Sequence, residues 1–219
     1  MFSFWAKLVG NRWGKQAGLP LAEAEFVAFD TELTGLDPRR DAIVSLGAVR
    51  MRGSRIYPGQ TFYRLVRAES ELGRKSVLIH EITPADLEGA AEIGQVLAEF
   101  REFVGEAVLV GHFVHIDVEF VNRAMKKKLG QTMTNPTVDT AALHDWLYEN
   151  DSAFARHVKG MSSKTDLFSL AQHYGIEVNK AHNALQDAWL AAQLLQRFYP
   201  FLAGCGIKTV KELLAVARH

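Results

Sequence analysis

Phe26-Val27-Ala28-Phe29-Asp30-Thr31-Glu32 is an apolar run that ends in two carboxylates, and the chain then breaks at Thr34-Gly35-Leu36-Asp37-Pro38. Such a run predicts a β-strand, in which alternate side chains share a face. Asp30 and Glu32 therefore point the same way, roughly 7 Å apart along the strand. Carboxylates are almost never fully buried unless they are paired or bound to a cation. The pair predicts a divalent metal site, and its other ligands must lie elsewhere in the chain.

The composition indicates a single domain whose charges are balanced overall. The chain has 219 residues with 48% hydrophobic content, which suits a single α/β core. Lys plus Arg and Asp plus Glu number 25 each, which argues against a role in coating duplex nucleic acid. This charge balance remains compatible with an enzyme that binds one end of a nucleic-acid strand. The arginines between 50 and 67 and the run Lys126-Lys127-Lys128 are local basic patches or simply solvated faces.

Cysteine usage and hydropathy predict a cytoplasmic protein. Cys205 is the only cysteine, which excludes an internal disulfide and any zinc site built from cysteines. Lys7 interrupts the apolar N-terminus, and no cleavage site of small residues follows it. No stretch reaches the roughly 20 apolar residues of a membrane span, so no membrane partner is expected.

The strands near the N-terminus predict an antiparallel meander. Residues 42–51 and 55–66 read as two further strands joined at Arg52-Gly53-Ser54, and such a short connection requires antiparallel neighbours. Helical spacing follows at 91–104, 117–129, 167–174 and 184–199, with a short strand at 107–110 and a strand passing into a helix at 137–148. This order predicts a mixed sheet flanked by helices.

Capping signals predict several helix boundaries. Thr83 and Pro84 read as a helix start, Pro200 as the end of the helix from Ala184, and Thr209-Val210-Lys211-Glu212 as a capping box. The segment Glu149–Thr165 is expected to be an irregular, mobile or functional loop.

The domain prediction has three parts. Residues 1–22 form an extension, expected to be a short amphipathic helix that packs on the domain, docks a partner or touches a membrane surface. Residues 23–204 form the main domain, and residues 205–219 form a helix packed on it.

Two further acids occupy positions suited to a metal site. Asp117 comes soon after the strand Val108-Leu109-Val110-Gly111, and Asp187 lies in the first turn of the helix from Ala184. Helix N-termini favour negative charge, and ligands on strand ends and helix starts are held rigidly. Each acid alone is also typical of a helix cap or a solvated residue, so the argument depends on their joint presence.

Three motifs resemble those of the DEDD exonuclease family that carries a histidine in its third motif. They are Phe29 to Leu36, Gly111 to Asp117 (GHFVHID) and His182 to Ala188 (HNALQDA), with Ile79-His80-Glu81-Ile82-Thr83 similar to a further family segment. The family includes the proofreading epsilon subunit of DNA polymerase III, ribonuclease T and oligoribonuclease. The resemblance covers residues 25 to 200 and implies a ribonuclease H-like fold with a mixed five-stranded sheet.

The resemblance also implies the roles of the site residues. Asp30, Glu32, Asp117 and Asp187 are expected to coordinate two Mg²⁺ or Mn²⁺ ions, roughly 4 Å apart. His182 is expected to act as the general base. Oxygen-only ligands suit Mg²⁺. The residues expected to bind substrate are Thr31, Thr34, Gly35, Leu36, Ile79, His80, His112 and Ile116, of which Leu36 and Ile116 also have the size of core residues.

The implied activity is 3′ to 5′ hydrolysis of single-stranded or frayed ends, with DNA favoured over RNA and release of nucleoside 5′-monophosphates. The second motif departs from the family, which usually has Asn at position 113 and an aromatic residue at position 116, and this leaves the DNA or RNA preference open. The chain carries no long tail after the third motif, which favours a free-standing exonuclease, or one docked through residues 1–22, over a polymerase subunit. It is expected to be a monomer or homodimer. The alternatives are an exoribonuclease that trims short RNA and a non-catalytic module that binds nucleic acid.

Overall fold

Five strands form one mixed sheet in the middle of the molecule. The computed structural model describes residues 15–67, 77–78, 80–158, 165–178 and 182–217. The strands are β1 (Glu25–Leu33), β2 (Ile43–Arg52), β3 (Arg55–Leu65), β4 (Val108–Gly111) and β5 (Thr137–Asp139). Their order is β3-β2-β1-β4-β5, with β1 to β3 antiparallel and with β4 and β5 running parallel to β1. The predicted meander followed by parallel strands is confirmed.

The central strand β1 is covered on both faces, as a continuous apolar run between two neighbours requires. Phe26, Val27, Ala28 and Phe29 are at most 1% exposed. Phe26 and Ala28 belong to one cluster of buried side chains, whereas Val27 and Phe29 belong to another. The alternation of side chains along β1 therefore divides the core into one layer on each face of the sheet.

Helices form both outer layers. The helices with complete bounds are α1 (Ile93–Val104), α2 (His115–Leu129), α3 (Thr140–Asn150), α4 (Ser152–His157), α5 (Leu167–His173), α6 (Ala184–Gly204) and α7 (Val210–Val216). Buried side chains of α1 and α2 pack on the face that Val27 and Phe29 share. Those of α3 to α7 pack on the opposite face, with Phe26 and Ala28.

The start of α6 lies directly against β2. A Cβ atom at Gly47 would lie 2.2 Å from the backbone nitrogen of Leu185, so only glycine allows this approach. Gly47 is also the register partner of Asp30 in the β1–β2 ladder. The glycine therefore brings the first turn of α6, with Asp187, to the strand that carries Asp30.

Two predicted boundaries are wrong, the end of the helix from Ala184 and the helix start at Thr83. Helix α6 passes through Pro200 and ends at Gly204, since Phe198 and Leu202 on either side of the proline are fully buried. Thr83 does not start a helix, because its N–H and hydroxyl both donate to Asp86 and close a turn at 84–89.

The segment predicted as a loop at 149–165 contains helix α4. Asp151 caps it by accepting from the N–H groups of Ala153 and Phe154, and the Phe154 side chain is fully buried. The remaining boundary difference is small: α2 begins at His115, two residues before its predicted start, and Asp117 still lies in its first turn.

The chain termini of the described part meet. Residues 15–22 form turns, and residues 1–14, the rest of the segment predicted to contain an amphipathic helix, lie outside the described range. Pro20 and Thr209 form an isolated β-bridge, and the N–H of Lys211 donates to the carbonyl of Ala17. Helix α7 begins with the predicted capping box. In the described residues no helix is long and apolar enough to cross a membrane.

Candidate active site

The candidate site lies where β1 ends and α6 begins. Asp30 and Glu32 share the face of β1 that α6 covers, and a bulge between Glu32 and Leu33 follows them directly. One carboxylate oxygen from each of Asp30, Glu32 and Asp187 lies within 4.8 Å of the others. The face predicted from strand alternation and the helix-start position of Asp187 therefore converge on one point.

Asp117 reaches the same site from the other face of the sheet. Thr31 lies between Asp30 and Glu32 but points to the α2 side, where its N–H and hydroxyl donate to Asp117 Oδ1 at 2.9 and 2.5 Å. Both side chains are buried. The hydroxyl of Thr31, predicted to contact substrate, is thus engaged in holding Asp117.

Burial and mutual repulsion disfavour the charged forms of all four acids. Burial, together with the negative charges of Asp187 and Asp117, raises the pKa of Glu32 to about 8. Burial raises the pKa of Asp117 to about 7 against the opposing hydrogen bonds from Thr31, and it raises the pKa of Asp187 to about 7. The pKa of Asp30 is raised well above its usual value by burial and by its three acidic neighbours.

The donor set fits a hard divalent cation. Glu32 Oε1 and Asp187 Oδ1 are buried, and neither accepts a hydrogen bond from any described residue. Buried polar atoms are nearly always hydrogen-bonded, so two unpartnered carboxylate oxygens in one cluster indicate that another group satisfies them. Carboxylate oxygens are the ligands that Mg²⁺ and Mn²⁺ prefer.

His182 lies beside the acids and faces solvent. It is exposed, and its backbone adopts a left-handed φ of 57°. Its backbone N–H donates to the Asp187 carboxylate, while its ring packs edge-on against Phe168 with centroids 4.9 Å apart. An unfavourable backbone conformation at a chemically active residue is typical of functional sites.

His80 lies close enough to His182 for their charges to interact. Its Nδ1 accepts the N–H of Ile82 at 3.0 Å, which leaves the proton on Nε2 in the neutral ring. That Nε2 is buried without a hydrogen-bond partner among the described residues. Burial, and secondarily the neighbouring His182, lower the pKa of His80. Ile79, predicted to line the pocket, lies outside the described residues.

The loop after β1 presents an exposed apolar side chain on a rigid base. The hydroxyl of Thr34 donates to Asp41 and accepts from the N–H of Ala42, and a Cβ atom at Gly35 would lie 2.5 Å from Asp41 Oδ2. Leu36 is 77% exposed. Of the two predictions for Leu36, the core position is therefore wrong, and an exposed apolar side chain in the loop that follows the acids of β1 remains.

The other predicted substrate residues have structural partners. His112 is bound through both ring nitrogens, to the Thr140 hydroxyl at 2.9 Å and to the Thr165 carbonyl at 2.7 Å. Ile116 is partly buried and packs on the core layer beneath α2. His112 therefore connects β4 with α3 and with the chain that leads to α5.

Asp139 supports the site and was not singled out from the sequence. It accepts the N–H groups of Phe113 and Val114 at the start of α2 and caps α3 through Ala141 and Ala142. Phe113 has a left-handed φ of 52°, which Asn adopts more readily than Phe. An acid between a strand and a helix is an N-cap signal that the sequence offered.

The fold and the four acids define a class, the nucleases that cleave a chain from its end. The family model described as exonuclease matches residues 27–195, and the chain belongs to that family. The predicted family and the predicted ribonuclease H-like fold are both confirmed.

Two curated relatives are similar to this chain. The DNA polymerase III subunit epsilon of Aquifex aeolicus is 35% identical over 174 residues, which cover 80% of this chain and 80% of the relative. The PolC-type DNA polymerase III of Thermotoga maritima is 32% identical over 191 residues, 87% of this chain. The chain spans only 13% of that polymerase.

Solved structures share the fold at low sequence identity. The complex of Escherichia coli exonuclease I with single-stranded DNA in its zinc-bound form has a TM-score of 0.73 and 17% identity, covering 84% of this chain and 42% of the other. Cell-death related nuclease 4 has a TM-score of 0.68 and 16% identity, covering 81% and 64%.

Proposed function

We propose that this protein is a metal-dependent 3′ to 5′ exonuclease that releases nucleoside 5′-monophosphates from single-stranded or frayed DNA ends. The observation that carries the proposal is the cluster of Asp30, Glu32 and Asp187, whose oxygens lie within 4.8 Å of one another. A fold without a cation would gain nothing from holding three carboxylates in mutual repulsion. The similarity to a polymerase III epsilon subunit over most of both chains supports the same chemistry.

The four acids Asp30, Glu32, Asp117 and Asp187 would hold two Mg²⁺ or Mn²⁺ ions. When bound, such cations stabilise charge on the attacking and leaving oxygens of a phosphodiester. Thr31 orients Asp117 through its two hydrogen bonds, and the His182 N–H orients Asp187. Both contacts fix carboxylates on rigid elements, which a displacement reaction requires.

His182 is the proposed general base. It is exposed to solvent next to Asp187 and keeps its ring orientation through Phe168. A neutral imidazole in this position can accept a proton from the water that attacks phosphorus. His80, with Nε2–H free of protein partners among the described residues, can donate to a phosphate oxygen.

The exposed Leu36 and the loop Thr34–Leu36 are proposed to hold the terminal nucleotide. An exposed leucine offers an apolar surface on which a base can pack. DNA is favoured over RNA because structural neighbours include exonuclease I bound to dT13 and to dA16. Docking of a partner through residues 1–22, the monomer or homodimer state, the domain division and a cytoplasmic location stay predictions.

The experiment that tests the proposal is digestion of a 5′-labelled single-stranded DNA and of the RNA of the same sequence, with Mg²⁺, Mn²⁺ or EDTA. We expect a product ladder that shrinks from the 3′ end, appears only with metal and forms faster on DNA. Faster digestion of RNA would select the exoribonuclease. Binding of both polymers without cleavage would select the non-catalytic module.

A further inference from the structure

A second charged region lies beside the candidate site. The loop at 38–43 and one side of α2 enclose a cleft of about 330 Å³. Six cationic side chains and one carboxylate, Asp41, line it. We call it the basic cleft; its cations are Arg39, Arg40, Arg67, Arg123, Lys127 and Lys128. In a chain with 25 positive and 25 negative side chains, this local excess is a concentrated feature.

Two of the six cations in the basic cleft lie beside carboxylates of the fold. Arg40 lies 3.7 Å from Asp37, and Arg67 pairs with Glu92. The carboxylate of Asp41 already accepts the Thr34 hydroxyl and the N–H of Asp37 inside its own loop.

Two arginines of the cleft remain available to an anion. Arg39 and Arg123 are exposed, and their guanidinium groups form no ion pair with any described residue. Guanidinium groups in this state readily bind phosphate oxygens.

Both walls of the basic cleft continue from the candidate site. Helix α2 begins with Asp117 in its first turn and presents Arg123 and Lys128 six and eleven residues later, about 9 and 16 Å along the axis. The opposite wall is the loop that braces Thr34 through Asp41 and Ala42. A strand that ends at the acids would cover this distance in roughly three to five phosphates, at about 3.4 Å each.

We propose that the basic cleft binds phosphates of the substrate strand, a few nucleotides on the 5′ side of its terminal nucleotide. This inference rests on the proposed exonuclease function and adds a site for the length of the strand. Cations spread along a cleft suit a row of phosphates, whereas a mononucleotide presents phosphate at a single point. The cleft therefore favours long single strands over dinucleotides.

The test compares kcat/KM for dT20 and for the dinucleotide dT2, which is too short to reach the cleft, using the full chain. The double variant Arg39→Gln/Arg123→Gln is expected to lower kcat/KM on dT20 about tenfold through KM, with less than a twofold change on dT2. Two lost phosphate contacts should also lower the salt slope of log KM for dT20 by about 1.4.

Two matched variants serve as controls. Arg156→Gln/Arg197→Gln removes the same charge from exposed positions on α4 and α6, on the opposite face of the sheet, and should leave the ratio of the two kcat/KM values unchanged. Arg39→Lys/Arg123→Lys keeps the charge and should retain most of the activity on dT20.

Three results would overturn the inference: an unchanged dT20 rate in the glutamine variant, an equal loss on dT2, or a lysine variant as weak as the glutamine variant. Failure of the proposed function is distinguishable, because the unmodified chain would then hydrolyse neither substrate. In that case fluorescence anisotropy of labelled dT20 still measures the affinity of the cleft for the strand. The titration compares Asp187→Asn with Asp187→Asn/Arg39→Gln/Arg123→Gln. Equal affinities would reject the inference, and an affinity about tenfold lower in the triple variant would support it.

Discussion

Carboxylates lie at the ends of β5 and of β1, two strands separated by β4, and the fold treats the two groups in opposite ways. Asp139 at the end of β5 is 2% exposed and accepts four backbone N–H groups, from Phe113, Val114, Ala141 and Ala142. Asp30 and Glu32 at the end of β1 lie close to Asp187 of α6, with two carboxylate oxygens of this cluster unpartnered among the described residues.

The difference shows what a buried negative charge requires. Backbone donors stabilise Asp139, so its charge contributes to the fold and orders the starts of α2 and α3. The acids of β1 and α6 have few such donors, so their charge opposes the fold until a cation joins them. Burial of a carboxylate is therefore weak evidence for function, and burial without donors is much stronger evidence.

The largest expected effect is on catalysis. Asp187→Asn removes a charged ligand without changing shape, and we expect kcat on single-stranded DNA to fall at least about 10³-fold. Circular dichroism should show an intact fold. A variant that keeps more than a tenth of the activity would contradict a ligand role for Asp187.

The same substitution at Asp139 should act on stability, because the charge of Asp139 is held by backbone donors. In Asp139→Asn the new NH₂ group faces the N–H of Val114, and the charge that the other donors share is lost. We expect the free energy of unfolding to fall by about 3 kcal/mol, measured by urea titration. Asp187→Asn in EDTA at pH 8 is the matched control and should raise it by about 1 kcal/mol, since repulsion is relieved. Equal signs for the two variants would refute the comparison.

A pH titration in EDTA should sharpen the same contrast. The pKa values of about 8 for Glu32 and about 7 for Asp117 and Asp187 exceed the value of about 4 in an unfolded chain. Between about pH 4 and pH 8 the folded state holds more protons, so the free energy of unfolding falls as the pH rises, by about 2 kcal/mol or more.

Two controls accompany this titration. Glu32→Gln should flatten the slope, and saturating Mg²⁺ should abolish it, because the cation takes the place of the protons. Stability that rises with pH in EDTA would argue against the raised pKa values.

The smallest expected effect concerns the link between the two faces of the sheet. Thr31→Val removes the hydroxyl that donates to Asp117 but keeps the backbone N–H bond. We expect about a tenfold fall in kcat, the equivalent of one hydrogen bond to a charged group. Thr31→Ser keeps the hydroxyl and should stay within threefold of the unmodified enzyme. Identical rates for the valine and serine variants would show that the hydroxyl does not position Asp117.

Local pattern was sufficient for the sheet and for the two acids on β1. The apolar run at 26–29 predicts a strand buried on both faces, and strand alternation alone places Asp30 and Glu32 together. Asp117 and Asp187 are candidates from their positions in the first turns of helices, but their assignment to one site depends on their joint presence and on the resemblance of three motifs to a known family. The strand and its two acids need only the periodicity of one element.

Features that depend on distant contacts could not be predicted in this way. The passage of α6 through Pro200 depends on burial of Phe198 and Leu202 by other elements. Thr31 and His112 have the residue types of substrate contacts, yet their polar atoms are bound by Asp117 in one case and by Thr140 and Thr165 in the other. Which partner a polar side chain finds is a property of the tertiary structure.

The start of α6, which packs against Gly47 of β2, is synthesised long after the strands that it joins. Asp187 leaves the ribosome 155 residues after Glu32, which takes about 8–30 s at typical rates of translation. Until then the growing chain carries the acids of β1 and α2 without the helix that closes the centre. The polypeptide therefore acquires its proposed hydrolytic capacity only after all five strands of the described sheet have been synthesised.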